Sequence, residues 1–237
     1  MSQTITLKID GVEIMAQPGQ KVIEAADAAG VYIPRLCHKP GLESFGSCRL
    51  CTIMANGRPC SACTTPVVEG MVVENETESL QKFRTQIIEM LFVEGNHFCM
   101  FCEKSGNCEL QAVAYRFGIV APTFPYQWPH REVDASHPDI LIDHNRCILC
   151  GSCVRTSRDL DGKHVFDFVG RGREKKIGVN ADSRLADTNA DISDQALDAC
   201  PVGALLRKRT GYQTPIGQRL YDLEPIGSEI ESTGNTN

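Results

Sequence analysis

"RCILCGSCVR", residues 146–155, sets three cysteines two residues apart at Cys147, Cys150 and Cys153, and a Cys-Pro pair follows at Cys200-Pro201. Thiolates at C-x2-C-x2-C spacing reach three corners of a [4Fe-4S] cubane, because a loop of that length folds round the cluster with its backbone N–H groups facing the sulfurs. The fourth corner must come from elsewhere. Where two such runs occur, the remote Cys-Pro serves the opposite cluster; this chain has no second run, so Cys200 closes the same one. The surrounding pattern fits: "DILIDHNRC" reads as a short strand entering the loop, and "DISDQALDACPVGAL" as an amphipathic turn of helix ending at the Cys-Pro pair.

Working outward, "NHFCMFCEKSGNC", residues 96–108, packs Cys99, Cys102, Cys108 and His97 into one loop. Three cysteines leave one corner of a second [4Fe-4S] cluster open, and His97 is the nearby side chain with a suitable nitrogen. A neutral imidazole in place of a thiolate makes the site less negative, which raises the reduction potential as in Rieske centres. On the N-terminal side, Leu80, Phe83, Ile87, Ile88 and Leu91 recur at helical spacing. On the other, Leu110, Val113, Ala114 and Phe117 do the same before Gly118. The cysteine loop therefore joins two helices.

Further upstream stand Cys37, Cys48, Cys51, Cys60 and Cys63. Taking Cys63 as the last ligand gives C-x10-C-x2-C-x11-C, a lengthened relative of the plant-type [2Fe-2S] pattern, with Cys60 left over. Cys63 is preferred because "SACTTPV" returns the chain to the loop, whereas Cys60 sits close to the Asn56-Gly57 turn. Around this group, "TITLKIDGVEIMA" predicts a hairpin at Asp10-Gly11, and "GQKVIEAADAAG" a helix with Val22, Ile23, Ala26 and Ala29 on its apolar stripe. "RLCTIMANGRPCSAC" predicts a second hairpin and "EGMVVEN" one more strand. A hairpin, one helix and a cysteine loop make a β-grasp-like beginning.

Composition bounds the function. Twelve cysteines in 237 residues, with neither a secretory leader nor the ~18 apolar residues of a membrane span, favour metal ligation in a reducing cytoplasm over disulfides. A net charge of −6 argues against nucleic acid. "GRGREKKIG", residues 170–178, has Lys175 where G-x-G-x-x-G requires glycine and reads as a solvated hairpin, so no nicotinamide or flavin site is expected. His144 reads as a loop residue. The proline-rich stretch 120–137 reads as an ordered linker, and the polar end from 210 as a mobile tail. A zinc-binding interaction module is the competing class, since paired C-x-x-C motifs also make tetrahedral sites.

The three cysteine blocks, in this order, resemble the N-terminal iron-sulfur part of the large iron-sulfur subunit of respiratory complex I and its relatives in NAD-linked hydrogenases and formate dehydrogenases. "GSCRLCTIMANGRPCSAC", "NHFCMFCEKSGNC" and "CILCGSCVR" with "ACPVGAL" carry the likeness, over residues 1–209. It implies an α+β chain: a β-grasp [2Fe-2S] ferredoxin-like domain (1–78), a small helical [4Fe-4S] domain with one His and three Cys ligands (79–119), the linker (120–137), a [4Fe-4S] ferredoxin-like domain (138–209) and a tail (210–237). It implies one [2Fe-2S] cluster on Cys37, Cys48, Cys51 and Cys63. It implies two [4Fe-4S] clusters, on His97, Cys99, Cys102 and Cys108 and on Cys147, Cys150, Cys153 and Cys200. Much of the family has H-x3-C where this chain has H-x-C. The chain's size resembles most the small diaphorase subunit of soluble NAD-reducing [NiFe] hydrogenases. That implies a cytoplasmic electron carrier with no substrate site of its own, between a flavin and NAD(H)-binding subunit and a [NiFe] hydrogenase pair. Equivalent subunits of formate dehydrogenases, [FeFe] hydrogenases and complex I-like assemblies are the alternative.

Overall fold

Asp10-Gly11 and Asn56-Gly57 both take left-handed backbone angles, φ 48° and 84° in one turn and 49° and 75° in the other, as two-residue hairpins require. In the computed structural model, which describes residues 4–182 and 184–234, these turns join strands β1 (Ile5–Ile9) and β2 (Val12–Ala16), and β3 (Thr52–Ala55) and β4 (Arg58–Ser61). Strand β5 (Val72–Glu74) lies between the hairpins, giving the order β2-β1-β5-β3-β4 with only the β1/β5 pair parallel. Helix α1 (Val22–Ala28) covers this sheet, and Leu7, Ile9, Ile14, Val22, Ile23, Ile53 and Val73 form its core. Gly30, at φ 75°, ends the helix so that Val31 N–H bonds the Ala26 carbonyl at 2.8 Å. One helix on a mixed sheet matches the expected β-grasp-like start.

Helices α2 (Glu78–Glu94) and α3 (Glu109–Arg116) flank the middle cysteine loop, which holds a single 3-10 turn at Cys99–Phe101. Thr77 caps α2 by accepting from Leu80 N–H at 3.3 Å. Leu80, Ile87 and Ile88 are buried as the stripe predicts, while Phe83 stays 40% exposed. In the third region β7 (Ile140–Asp143) pairs antiparallel with β10 (Leu205–Arg207) and with β6 (Val133–Asp134), a strand contributed by the expected linker. Helix α4 (Ser152–Asp159) leaves the cysteine loop, α5 (Gln195–Asp198) precedes Cys200, and β8 (Phe166–Val169) pairs with β9 (Lys176–Val179). "GRGREKKIG" spans the connection and most of the second strand of that hairpin, with Lys175 Nζ 4.2 Å from the centre of the Phe168 ring.

The middle and third regions share one core, which also takes in Tyr32, Leu36 and Leu50 from the first. The tail differs from its polar sequence. Leu220 N–H bonds Asn107 Oδ1 at 2.8 Å, Tyr212 OH bonds the Phe101 carbonyl at 2.6 Å, and Glu231 of α6 (Ser228–Gly234) pairs with Arg116. Burial of Ile226, 7% exposed, explains why a segment of polar average composition nevertheless docks. Residues 235–237 lie outside the described residues. No helix among the described residues is long and apolar enough to cross a membrane.

Candidate iron-sulfur centres

The first group comes together in the loops on either side of β3 and β4. Cys37, Cys51 and Cys63 are buried and Cys48 half-buried, and Cys48 N–H points at Cys37 Sγ from 3.4 Å. Hydrogen bonds from the Cys48 and Cys63 thiols hold Cys37 well below the usual thiol range, and the Cys63 thiol lowers Cys51 to about 7. The two donors are pushed up in turn, Cys48 by its bond to Cys37 and Cys63 by its bonds to Cys37 and Cys51. Part of the set is thus already biased toward thiolate, the ligating form. Cys60 is elsewhere, half-buried on β4 across from Ile53. Arg84, fully buried on α2, fixes the loop from behind: it donates to the carbonyls of Leu50 (3.1 Å), Thr52 (2.9 Å) and Asn75 (2.9 Å), gripping the backbone on both sides of Cys51.

The middle group lines a cavity. Cys99, Cys102 and Cys108 share it with His97, Phe92, Arg146 and Gly203. His97 Nε2 is buried without a hydrogen-bond partner, and burial, reinforced by the Arg146 charge, lowers the imidazole to about 4 and keeps it neutral. Phe92 holds the ring edge-on at 5.5 Å. Burial raises Cys99 and Cys102 and takes Cys108 to about 12.

The third group lines another cavity, formed by Cys147, Cys150, Cys153 and Cys200 with His144 and an apolar wall that includes Ile142, Phe166, Ile177 and Val202. Leu149 at φ 53° and Gly151 at φ 69° curl the loop inward, and Leu149 N–H faces Cys147 Sγ at 3.5 Å. A Cβ on Gly151 would also come within 3.1 Å of the Phe168 ring. Burial pushes Cys147 to about 12 and Cys150 to about 11, so these thiols shed their protons only against a compensating cation.

The donor sets fit iron-sulfur clusters better than a single ion. Zinc would draw four ligands to about 2.3 Å from one point. The second and third sets instead spread their donors around the walls of a cavity shared with other side chains.

The third group packs against both of the others. Arg155, 6% exposed, donates to the carbonyls of Cys37 (2.5 Å), Glu43 (2.7 Å) and Gly151 (3.2 Å), tying the first cysteine loop to the third. Ser47 Oγ donates to the Leu149 carbonyl at 3.2 Å, and Phe45 stacks on Phe168 at 5.8 Å. On the other side Arg146, beside Cys147, reaches Cys102 Sγ at 3.6 Å and Glu103 at 2.8 Å. Gly203, three residues after Cys200, approaches so near that a Cβ there would lie 2.5 Å from Cys102 Sγ. The third group therefore touches both the first and the second, whose loops also meet where Lys39 pairs with Glu109. Both bridging arginines belong to the quoted motif "RCILCGSCVR", but nothing in the motif says where they reach. His144 and Arg84 give no local signal either.

Three family models match the chain in order: a 2Fe-2S iron-sulfur cluster binding domain over residues 2–78, the NADH-ubiquinone oxidoreductase-G iron-sulfur binding region over 84–122, and the NADH-quinone oxidoreductase subunit 3 ferredoxin-like domain over 137–206. The chain is 34% identical over 235 residues to the mitochondrial NADH-ubiquinone oxidoreductase 78 kDa subunit of Candida albicans, covering 95% of this chain but only 32% of that protein. A chain in the crystal structure of an NAD+-reducing [NiFe]-hydrogenase in the H2-reduced state superposes with a TM-score of 0.92 at 46% identity, covering 97% of this chain and 98% of that one. The likeness to the gamma subunit of the NAD-reducing hydrogenase HoxS of Cupriavidus necator is also almost end to end, 38% identity over 224 residues, 94% of this chain and 95% of the relative. Agreement over the full length of both chains, and not just over a shared module, means that this protein belongs to the family of NAD-reducing hydrogenase gamma subunits, iron-sulfur electron-transfer proteins related to the complex I iron-sulfur subunits.

Proposed function

We propose that the chain relays electrons between a [NiFe] hydrogenase pair and a flavin-containing, NAD(H)-binding subunit in the cytoplasm, with no substrate site of its own. The ligand sets in this reading are Cys37, Cys48, Cys51 and Cys63 for [2Fe-2S]; His97, Cys99, Cys102 and Cys108 for one [4Fe-4S]; and Cys147, Cys150, Cys153 and Cys200 for the other. The domains divide at 78, 119, 137 and 209. When bound, the clusters supply one-electron carriers. The protein's residues hold and insulate them: Arg84 anchors the Cys51 loop, Ile142, Phe166 and Ile177 keep the third site dry, and Arg155 and Arg146 fix neighbouring sites against each other.

The observation that carries this reading is the close contact of the three cysteine loops. Loops one and three meet at Arg155, and loops three and two meet at Arg146 and Gly203. In this reading the first and second sites are the ends of the relay, at which electrons enter and leave through protein contacts. Exposed Phe98, Met100 and Phe101 beside the second site suit such a contact. The decisive experiment is metal analysis of anaerobically prepared protein together with its co-purifying subunits. About ten irons per chain with matching acid-labile sulfide, from one [2Fe-2S] and two [4Fe-4S] clusters, are expected. Stoichiometric zinc without sulfide would overturn the assignment, and recovery of a formate-oxidising partner would replace the hydrogenase.

A further inference from the structure

We propose that His144 is a positioning residue of the third site, donating a hydrogen bond from Nδ1–H to a sulfur of the cluster held by Cys147, Cys150, Cys153 and Cys200 and thereby raising its reduction potential. The inference rests on the reading of those four cysteines as a [4Fe-4S] site. His144 is 7% exposed, lines the same cavity as the four cysteines, and has a buried Nδ1 with no hydrogen-bond partner. A buried ring nitrogen left unpaired forfeits its hydration with nothing in return, so a partner is expected in the loaded protein. The cavity wall of Ile142, Phe166, Ile177 and Val202 is apolar, and the carboxylates nearest the ring are engaged elsewhere, Glu132 by Lys176, Asp134 by the Ser136 and Leu185 N–H groups and Asp143 by Asn145 and Arg146. Sulfur is the acceptor that remains.

The backbone holds the ring in place. His144 N–H bonds the Glu132 carbonyl at 3.2 Å, its own carbonyl accepts from Cys147 N–H at 3.3 Å, and the Asp143 carboxylate receives the next N–H, that of Asn145, at 3.0 Å. His144 is thus tied directly to the first ligand of the set. It is not needed as a ligand, since four thiols already line the cavity. A donor aimed at cluster sulfur favours the more negative, reduced form, which is how hydrogen bonds set potentials in such sites.

The test uses the full chain with its clusters, reading the third site by EPR-monitored redox titration and assigning its signal by its loss in Cys200→Ser. His144→Leu, which removes the donor, should retain the cluster and make its one-electron reduction about tenfold less favourable, a drop of ~59 mV. His144→Asn, which can present an amide N–H where Nδ1 stood, should recover most of that shift. ENDOR before and after transfer to D2O should show in the wild type an exchangeable coupled proton that His144→Leu lacks, beyond those of backbone groups such as Leu149 N–H. An unchanged potential in His144→Leu, or the same set of exchangeable coupled protons in both proteins, overturns the proposal while leaving the site assignment standing. Absence of any [4Fe-4S] signal that depends on Cys200 overturns the assignment itself.

Discussion

The cavities of the second and third sites each contain a histidine with one buried, unpartnered ring nitrogen, Nε2 of His97 in one and Nδ1 of His144 in the other. They differ by a single cysteine. Three thiols and an imidazole surround the second cavity, and four thiols and an imidazole the third. The same orphaned nitrogen therefore has two chemistries open to it, coordination where a corner is vacant and hydrogen bonding where none is. A buried histidine in such a protein is read by counting the thiols around it.

The comparison breaks most visibly at the central site. Cys200→Ser removes a ligand from the set that touches both neighbours, so the third EPR signal should vanish and hydrogen-dependent NAD reduction by the assembled complex should fall by about a hundredfold. Rates near wild type in a complex lacking that signal would show that electrons bypass the third site. Next in size is His97. His97→Ala should lower iron content at the second site, since the corner loses its donor, whereas His144→Leu should leave iron content unchanged. His97→Cys should keep a [4Fe-4S] cluster with a lower potential, the added thiolate making the site more negative. Equal iron in His97→Ala and wild type would remove His97 from the ligand set.

Arg155→Met tests the contact instead of the ligands. It strips side-chain donors from the carbonyls of Cys37, Glu43 and Gly151, although Gly151 keeps the Arg155 backbone N–H. Leaving the buried Cys37 acceptor unpaired should cost about 2 kcal/mol, which lowers Tm by roughly 4–8 °C in a chain of this size. The clusters at the first and third sites should also lose part of their magnetic interaction, while the second site is untouched. A melt within about 2 °C of wild type, well short of that shift, would mean that the seam is held by Phe45 and Phe168 without the arginine.

What the sequence discloses is local. Asp10-Gly11, Asn56-Gly57 and the C-x-x-C turns announce themselves because a few adjacent residues dictate their backbone, and the helical stripes of α2 and α3 follow from spacing alone. The packing of the sites against one another depends on contacts such as Arg155 with Cys37, 118 residues apart, and Arg146 with Cys102, 44 apart. No periodicity encodes those. His144 reads as a loop residue because its neighbours are polar, and only the cavity on its far side shows what it faces. The tail escapes the sequence for a related reason: average polarity conceals a few apolar anchors, Ile226 buried and Tyr221 and Ile230 partly so.

The smallest expected effect falls on the spare cysteine of the first region, where counting thiols needs its own control. Five cysteines lie between residues 37 and 63, but Cys37, Cys48, Cys51 and Cys63 interact through their sulfurs while Cys60 packs half-buried on β4. Cys60→Ser replaces sulfur by a smaller hydroxyl at a strand position with access to water, and should cost about 1 kcal/mol or less. All three EPR signals should survive with unchanged potentials. Cys63→Ser at the buried end of the same loop is the matched control, expected to lose or broaden the [2Fe-2S] signal, because serine is a poorer and far less acidic ligand than a thiol. If Cys60→Ser damages that signal and Cys63→Ser spares it, the loop closes on the strand residue, and proximity of thiols in the fold is not a guide to ligation in this region. The same failure would weaken the assignments at His97 and His144, which rest on the same kind of proximity.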